Sequence, residues 1–219
     1  MNSKFKLFLI SFIVLTLVPN IIQIGSAAYS NIPTKFRLPF SGAYYSPTVY
    51  QYYDNDTTAG IKSYGCGSKT YNNHKGTDFN VNVDTPIYAA AAGGIYKTGD
   101  GCATYGSWTS TCGGGFGNHA RVDHEGNTSD GVGLKTIYAH FKLNTVTAPY
   151  QSVNCGAFLG KSGSSGKSTA PHVHFEVQKY GYPNDDPFKG NCSGSVSWWT
   201  NIDSNGIPIS SCYYTPYTF

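Results

Sequence analysis

The stretch PHVHFEV at residues 171–177 alternates polar and apolar side chains, and this alternation constrains the fold of the chain. Successive side chains of a β-strand point to opposite faces, so the two valines and the phenylalanine would share one face. His172 and His174 would then project together from the other face. The stretch therefore predicts a strand with an apolar face and an imidazole face, which is either solvated or part of a site.

Short runs rich in Val, Ile, Tyr and Phe recur along the chain, separated by Gly-rich turns, and helical periodicity is hard to find. This pattern is typical of an all-β protein. We predict strands at 78–83, 86–90, 94–98, 118–123, 135–141 and 172–178.

Two of the other predicted strands also carry a potential metal-binding or proton-transfer group. In NNHKGTDFNV, His74 lies four residues before Asp78, and the apolar residues that follow Asp78 take the opposite phase. In KTIYAHFKL, Tyr138 and His140 alternate with apolar residues at 137, 139, 141 and 143. If these strands are neighbours in one sheet, their polar groups converge.

A catalytic zinc ion usually takes three protein ligands from His, Asp and Glu and leaves a fourth position for water. The candidate residues suit that number of ligands, and an unligated histidine could move protons because imidazole titrates near neutral pH. The spacing alone does not say which histidines are ligands and which are catalytic.

Several motifs in the same order resemble the lysostaphin-type zinc metallopeptidases, also called the LytM or glycyl-glycine endopeptidase family. The motifs are HKGTD, YAH and HVH followed by FE, and the resemblance covers about residues 70–178. It implies an antiparallel β-sheet core with long loops around a zinc cleft. It also implies one zinc ion with His74, Asp78 and His174 as its ligands. By the same resemblance, His140 and His172 would be the two catalytic histidines beside the metal.

The reaction implied by the resemblance is hydrolysis of peptide bonds in peptidoglycan, in stem peptides or in cross-bridges. A non-catalytic binding or regulatory module with the same fold is an alternative, although such relatives typically lack one or more of these residues. A protease of Gly-rich extracellular proteins is a third interpretation. Whether residues 29–60 inhibit the cleft stays open, with Asp54, Asn55 and Asp56 as candidate side chains.

The start of the chain predicts export. MNSKFK is basic, LFLISFIVLTLV is apolar and GSAAYS offers a cleavage site, so we expect a signal peptide at 1–28. A membrane anchor is the alternative, but Pro19 and Asn20 interrupt the apolar run. We expect a secreted or extracytoplasmic monomer without a stable membrane anchor. Its predicted parts are an irregular N-terminal segment at 29–60, a metallopeptidase domain at 61–189 and an aromatic C-terminal extension at 190–219.

The six cysteines all follow the predicted cleavage site, and an even number in an exported chain favours disulfides. None forms a CxxC pair, which disfavours a zinc knuckle. Pairing neighbours predicts Cys102–Cys112 and Cys192–Cys212 and leaves Cys66 for Cys155, although six cysteines allow fifteen connectivities.

The formal net charge is +3, and two lysines of the signal peptide contribute to it. The mature chain is therefore close to neutral, which disfavours nucleic acid as a partner, since phosphate binding needs clustered Lys and Arg. We expect His119 in a core strand and His124 in a turn, both away from the metal. Three acidic residues could orient a ligand imidazole, but a solvated position is favoured for each: Asp84, Asp123 and Glu176.

Overall fold

The structure is a computed structural model that describes residues 35–41, 49–55, 62–63, 69–127, 133–181, 183–188, 198–199 and 209–212. The predicted signal peptide, Cys66 and Cys192 lie outside these ranges. Within them, no helix is long and apolar enough to cross a membrane.

The described residues form short strands and one 3-10 turn at Cys112–Gly115. The strands, numbered in chain order, are β1 Val49–Gln51, β2 Lys62–Ser63, β3 Lys69–Thr70, β4 Thr77–Phe79, β5 Pro86–Tyr88, β6 Gly93–Gly99, β7 Asn118–Asn127, β8 Gly133–Phe141, β9 Gln151–Val153, β10 Phe158–Lys161, β11 Val173–Lys179 and β12 Asn184–Asp185.

The largest sheet has the strand order β1-β4-β11-β8-β7-β6-β9, and β12 also pairs with β11. Two smaller pairs, β5 with β10 and β2 with β3, lie outside it. Every pairing between these strands is antiparallel. The predicted all-β, antiparallel fold class is therefore confirmed, and β4, β11 and β8 are neighbours as the convergence of their polar groups requires.

Each of the six predicted strands is present, but the first two are shorter than predicted, and β5 ends at Tyr88 instead of residue 90. β4 ends at Phe79 instead of residue 83, although Val81 stays buried. A turn follows, in which the Thr85 amide donates to the Asn82 carbonyl at 3.2 Å and Asp84 adopts a positive φ of 70°. The polar residues of this turn leave the sheet while the apolar ones remain packed on it.

The hydrophobic core covers one face of the large sheet. Phe79 from β4 and Phe175 from β11 are fully buried in it. The flanking segments contribute to the same core, since Trp199 stacks on Phe175 with ring centroids 5.7 Å apart and the Phe36 amide donates to Trp198. Complete burial of one such side chain contributes about 1.5 to 3 kcal/mol. This core fixes which face of β4 and β11 remains for the polar side chains.

The disulfides confirm one predicted pair and correct the others. Cys102–Cys112 is present as predicted, but Cys155 pairs with Cys212, so the predicted Cys192–Cys212 and Cys66–Cys155 pairs are wrong. Neighbour pairing failed because the end of the chain returns to the N-terminal segment. The Leu38 amide donates to the Ile209 carbonyl at 3.0 Å, and this packing brings the last cysteine to the start of the β10 region.

Candidate metal centre and cleft

The register of three neighbouring strands brings the polar groups of β4 and β11 together. Asp78 of β4 pairs with His174 of β11, and His174 pairs with Ala139 of β8. Paired residues share a face of the sheet, so Asp78 and His174 project on the face opposite Phe79 and Phe175. The sequence predicted this arrangement correctly for both strands.

His74 joins this pair from the turn before β4, where its amide donates to the Tyr71 carbonyl at 3.1 Å. Asp78 Oδ1 lies 3.1 Å from His74 Nε2 and 2.7 Å from His174 Nδ1. The two ring nitrogens are 3.2 Å apart. All three residues are buried, and their ligand atoms lie within 4.8 Å of one another, which is a spacing that could hold a metal ion.

In His74 and His174, the ring nitrogen that points away from Asp78 donates a hydrogen bond to an acceptor outside the cluster. His74 Nδ1 donates to the Tyr52 carbonyl at 2.6 Å, and His174 Nε2 donates to Glu176 Oε1 at 3.0 Å. When a cation takes the place of the proton between these groups, each imidazole is neutral and has only one N–H, so its inner nitrogen directs a lone pair towards the cation beside Asp78. Two nitrogen lone pairs and one carboxylate oxygen thus converge at a buried point. This donor set fits a zinc ion, and carboxylate support of a ligand imidazole is common at zinc sites.

The pKa shifts of Asp78 and His174 also favour a positive charge within the cluster. Burial alone would raise the pKa of Asp78, but the charge of His74 and the hydrogen bond from His174 hold that pKa well below its usual range. Burial alone would lower the pKa of His174, but its hydrogen bonds to Asp78 and Glu176 raise it to about 10. A proton or a cation is therefore strongly favoured between these groups.

Gly76 explains why the HKGTD motif tolerates no larger side chain at its third position. A Cβ atom there would lie 2.6 Å from the Phe175 carbonyl oxygen and 2.8 Å from the His174 ring. Those distances are too short for non-bonded atoms, so any side chain would push His174 or β4 away. The glycine allows the approach that brings His74 and Asp78 to β11.

His140 reaches the site differently from the way the sequence predicted. Tyr138 belongs to the buried core, where its hydroxyl accepts a hydrogen bond from the Ala90 amide at 2.8 Å, so it does not share the site face. Regular alternation would place His140 with Tyr138, on the core side. His140 instead has a positive φ of 65°, which breaks the alternation of β8. The predicted face assignment of this strand is wrong, and this break in the alternation places the His140 ring beside His172.

His140 and His172 lie side by side, with ring centroids 4.5 Å apart. His140 Nδ1 donates to the Ser165 carbonyl at 2.7 Å, and His172 Nδ1 donates to the Ala170 carbonyl at 2.8 Å. His172 Nε2 is 3.6 Å from Asp78 Oδ1. Burial, followed by repulsion from His172 and His174, lowers the pKa of His140 to about 3. Burial also lowers the pKa of His172. Both rings are thus neutral near pH 7, with Nε2 free to accept a proton.

The other two histidines stay away from the cluster, as expected. His119 Nδ1 donates to the Gly117 carbonyl at 2.9 Å. His124 is buried against Phe36 and donates from Nδ1 to the Ala92 carbonyl at 2.9 Å. The sequence places His124 in a turn, but the structure places it within β7, in the core.

Of the three acidic residues considered as supports for a ligand, only Glu176 takes that position. Glu176 is 3% exposed, bonds His174 and accepts further hydrogen bonds from Gln178 and Asn184. The solvated position favoured for it from sequence is therefore wrong. Asp84 is exposed as expected, whereas Asp123 is half-buried beside Lys135.

Two cavities open beside the cluster and form the cleft. The larger, of about 410 Å³, is lined by Asp78, His140 and His172 together with aromatic residues such as Tyr71 and Trp108. The smaller, of about 190 Å³, is lined by other residues of the site: His74, His140, His174 and Glu176. Tyr71 lines both cavities and stacks on His74, with ring centroids 4.4 Å apart.

The residues considered as inhibitory side chains bond elsewhere. Asp54 Oδ2 accepts from the Asn73 amide at 2.7 Å, and Asn55 Nδ2 donates to Asp186 Oδ2 at 2.7 Å. Asp56 lies outside the described residues. In this structure Asp54 and Asn55 support the turn before β4 and the β12 region.

Some groups that position the site could not have been found from sequence. The carbonyls of Tyr52, Ser165 and Ala170 hold three of the four imidazoles, yet backbone carbonyls carry no sequence signature. The contribution of Glu176 had a signal, since it lies two residues after His174 on the same face of a strand.

A buried His-Asp-His cluster on an antiparallel sheet, beside two further histidines and a cleft, defines a metallopeptidase type of site. Residues 72–186 match the model of Peptidase family M23, which is more than half of the chain. The chain belongs to this family, and the resemblance to lysostaphin-type peptidases is confirmed.

Several curated proteins are similar to the chain. Lysostaphin of Staphylococcus simulans is 32% identical over 162 residues, covering 66% of this chain and 29% of that protein. Glycyl-glycine endopeptidase ALE-1 of Staphylococcus capitis is 34% identical over 113 residues, covering 52% and 26%. DD-carboxypeptidase/endopeptidase Mpg of Neisseria meningitidis serogroup B is 32% identical over 114 residues, covering 52% and 22%. The matched regions thus span less than a third of each relative.

The solved structure of the lysostaphin catalytic domain from Staphylococcus simulans is 29% identical to the chain. The match covers 64% of this chain and 86% of that one, with a TM-score of 0.41.

Proposed function

We propose that this chain is an exported zinc metalloendopeptidase that hydrolyses peptide bonds in bacterial peptidoglycan. The observation that carries the proposal is the buried convergence of His74 Nε2, Asp78 Oδ1 and His174 Nδ1 beside His140 and His172 in a cleft. Membership of a peptidase family and similarity to lysostaphin support the substrate class. The two described disulfides support an extracytoplasmic location after removal of residues 1–28.

In this proposal His74, Asp78 and His174 hold one zinc ion, and Glu176 orients His174. Zinc supplies Lewis acidity, which lowers the pKa of water to about 7 and polarises a peptide carbonyl. The protein holds the ligand nitrogens in the required tautomers and excludes bulk water from the buried cluster.

His140 and His172 handle the protons in this mechanism. Each ring is held at Nδ1 by a backbone carbonyl, which leaves Nε2 to take a proton from the attacking water. Protonation converts Nε2 into an N–H donor that can stabilise the oxyanion and then protonate the leaving amine. The two rings lie close enough to divide these steps between them.

Hydrolysis of purified peptidoglycan tests the proposal. The mature chain is expected to release new amine termini, with mass spectrometry identifying the bond, and a chelator is expected to stop the release. His140→Ala is expected to keep bound zinc and to lose at least about a hundredfold in rate, because it removes a proton-transfer group. Normal cleavage by His140→Ala would show that the assigned mechanism is wrong.

A further inference from the structure

The walls of the cleft carry unequal charges. The carboxylates Asp78 and Glu176 are both buried and hydrogen-bonded to histidines. The lysines, Lys75 and Lys167, are exposed, and neither makes an ion pair within the described part of the chain. The charge that a bound peptide would meet in this cleft is therefore positive.

Lys167 borders a larger part of the cleft than Lys75 does. It lines both cavities, as His140 and Tyr71 do, so it stands where the two halves of the cleft meet. Its amide donates to the Gly115 carbonyl at 2.8 Å, which fixes the backbone. Its Nζ lies over the Trp108 ring, 4.7 Å from the centroid. A cation–π contact restricts the ammonium group and leaves N–H donors free for a ligand.

The Trp108 loop is itself tied to the segment that carries Lys167. Gly106 donates to the Ser164 carbonyl at 2.7 Å, and Ser107 donates to the Gly166 carbonyl at 3.1 Å. The Cys102–Cys112 disulfide closes the same loop. The indole and the ammonium group are thus held as one unit at the cleft.

We propose that Lys167 determines specificity by binding a free carboxylate of the substrate peptide next to the scissile bond. This inference rests on the proposed function and narrows its substrate class to stem-peptide segments that carry a free carboxylate, in preference to neutral glycine bridges. A carboxylate at Lys167 makes a charge-assisted hydrogen bond, which a carboxamide or a glycine residue cannot replace. Because Lys167 lines both cavities, it can bind such a carboxylate whether the carboxylate precedes or follows the scissile bond in the substrate peptide.

The experiment compares one polymer in two charge states. Sacculi with direct stem-to-stem cross-links and sacculi with pentaglycine bridges are each used native and after chemical conversion of their carboxyl groups to carboxamides. Four zinc-loaded proteins are measured on each: the wild type, Lys167→Gln, Lys167→Arg and the control Lys97→Gln. Lys97 is an exposed lysine on β6 that lines neither cavity. The readouts are the initial rate of new amine release and the fraction of protein that sediments with the sacculi.

The wild type and Lys97→Gln are expected to cleave native, directly cross-linked sacculi about tenfold faster than the amidated ones, as for one charge-assisted hydrogen bond. Lys167→Gln is expected to lose this preference by slowing on native sacculi only, and Lys167→Arg to keep most of it. Equal wild-type rates on native and amidated sacculi would overturn the inference, as would an equal loss on both forms in Lys167→Gln. Faster cleavage of pentaglycine-bridged sacculi would also overturn it.

Sedimentation separates this inference from the proposed function. If none of the four proteins cleaves any of the sacculi, the proposed function fails. The sedimentation measurement then tests the role of Lys167 by itself. Preferential retention of the wild type on native sacculi, lost in Lys167→Gln, would still support carboxylate recognition. Equal retention on native and amidated sacculi would overturn it.

Discussion

Each of the four histidines in the candidate site donates one ring proton to an acceptor outside the cluster. That commitment directs the remaining nitrogens towards Asp78 or the cleft and keeps the rings from turning. The donor–acceptor pairs are His74 to Tyr52, His174 to Glu176, His140 to Ser165 and His172 to Ala170. A site with these constraints is organised before a cation or a substrate binds.

Glu176→Gln tests the support of one ligand. We expect the variant to bind zinc about tenfold to a hundredfold more weakly, because a neutral amide supports the His174 imidazole less well than a carboxylate. Competition against a chromogenic chelator measures the affinity. Asp123→Asn is the control and should bind zinc as the wild type does, because Asp123 is a half-buried acid on β7 that pairs with Lys135 and Tyr180. Equal zinc affinities for Glu176→Gln and the wild type would contradict this role.

The left-handed backbone at His140 is strained for any residue with a side chain, so the histidine that the proposed activity needs lowers the stability of the fold. Glycine adopts a φ of 65° without strain, whereas alanine does not. We expect His140→Gly to be more stable than His140→Ala by about 1 kcal/mol. Urea unfolding of both variants measures this difference, and both should lack hydrolysis. A more stable alanine variant would show that the backbone at this position carries no strain.

At the residue scale, the sequence predicted which side chains meet, but not what holds them. His74, Asp78 and His174 follow from motif and alternation, and the structure brings them together. Glu176 was predicted to be solvated because acidic residues usually are, although alternation places it on the same face as His174. The carbonyl acceptors depend on loop packing, which no local pattern encodes.

At the element scale, alternation predicted β4 and β11 well because each buries one clean apolar face. It failed on β8, where both faces are apolar or buried and the kink at His140 changes the phase. The short strands β1, β9 and β12 carry two or three residues each, too few for a periodic signal. Their existence depends on the neighbours that they pair with.

The disulfides predict unequal effects on stability. Cys102–Cys112 spans 10 residues, and Cys155–Cys212 spans 57. In the chain-entropy model, replacing each pair by serines should lower the free energy of unfolding by about 3 and about 4 kcal/mol, respectively. Urea unfolding of the two double variants measures these changes. A larger loss for the shorter loop would show that native contacts, and not loop length, set the stabilisation.

At the scale of the whole molecule, the flanking segments complete the domain that carries the site. Phe36 and Trp199 pack into the core behind β11, and the Cys155–Cys212 disulfide ties the C-terminal segment to the sheet region. The sequence predicted irregular flanks, and it offered no signal for these contacts because they join residues far apart in the chain. The core is therefore built from both ends of the described chain.

His124 predicts how the stability of the whole molecule depends on pH. Burial lowers the pKa of His124 from 6.5 to about 4, so between these pH values the unfolded chain binds the proton and the folded chain does not. Stability is therefore retained above pH 6.5 and lost as the pH falls towards 4. Between pH 7 and pH 4.5 this loss is roughly 2 to 3 kcal/mol.

His124→Gln should remove that contribution. Urea unfolding of the metal-free proteins at both pH values measures it, and the free-energy difference between wild type and variant should shrink at pH 4.5. A difference that stays constant with pH would show that His124 is not buried in its neutral form.

The proposed hydrolysis of peptidoglycan depends on one zinc ion at His74, Asp78 and His174. Its most direct test is a zinc titration of the metal-free mature chain, with release of new amine termini from sacculi as the readout. The rate is expected to rise to a plateau at one equivalent of zinc, and Asp78→Ala is expected to give no plateau at that ratio. A rate that is independent of added zinc, or equal in Asp78→Ala, would contradict a zinc-dependent reaction at this site.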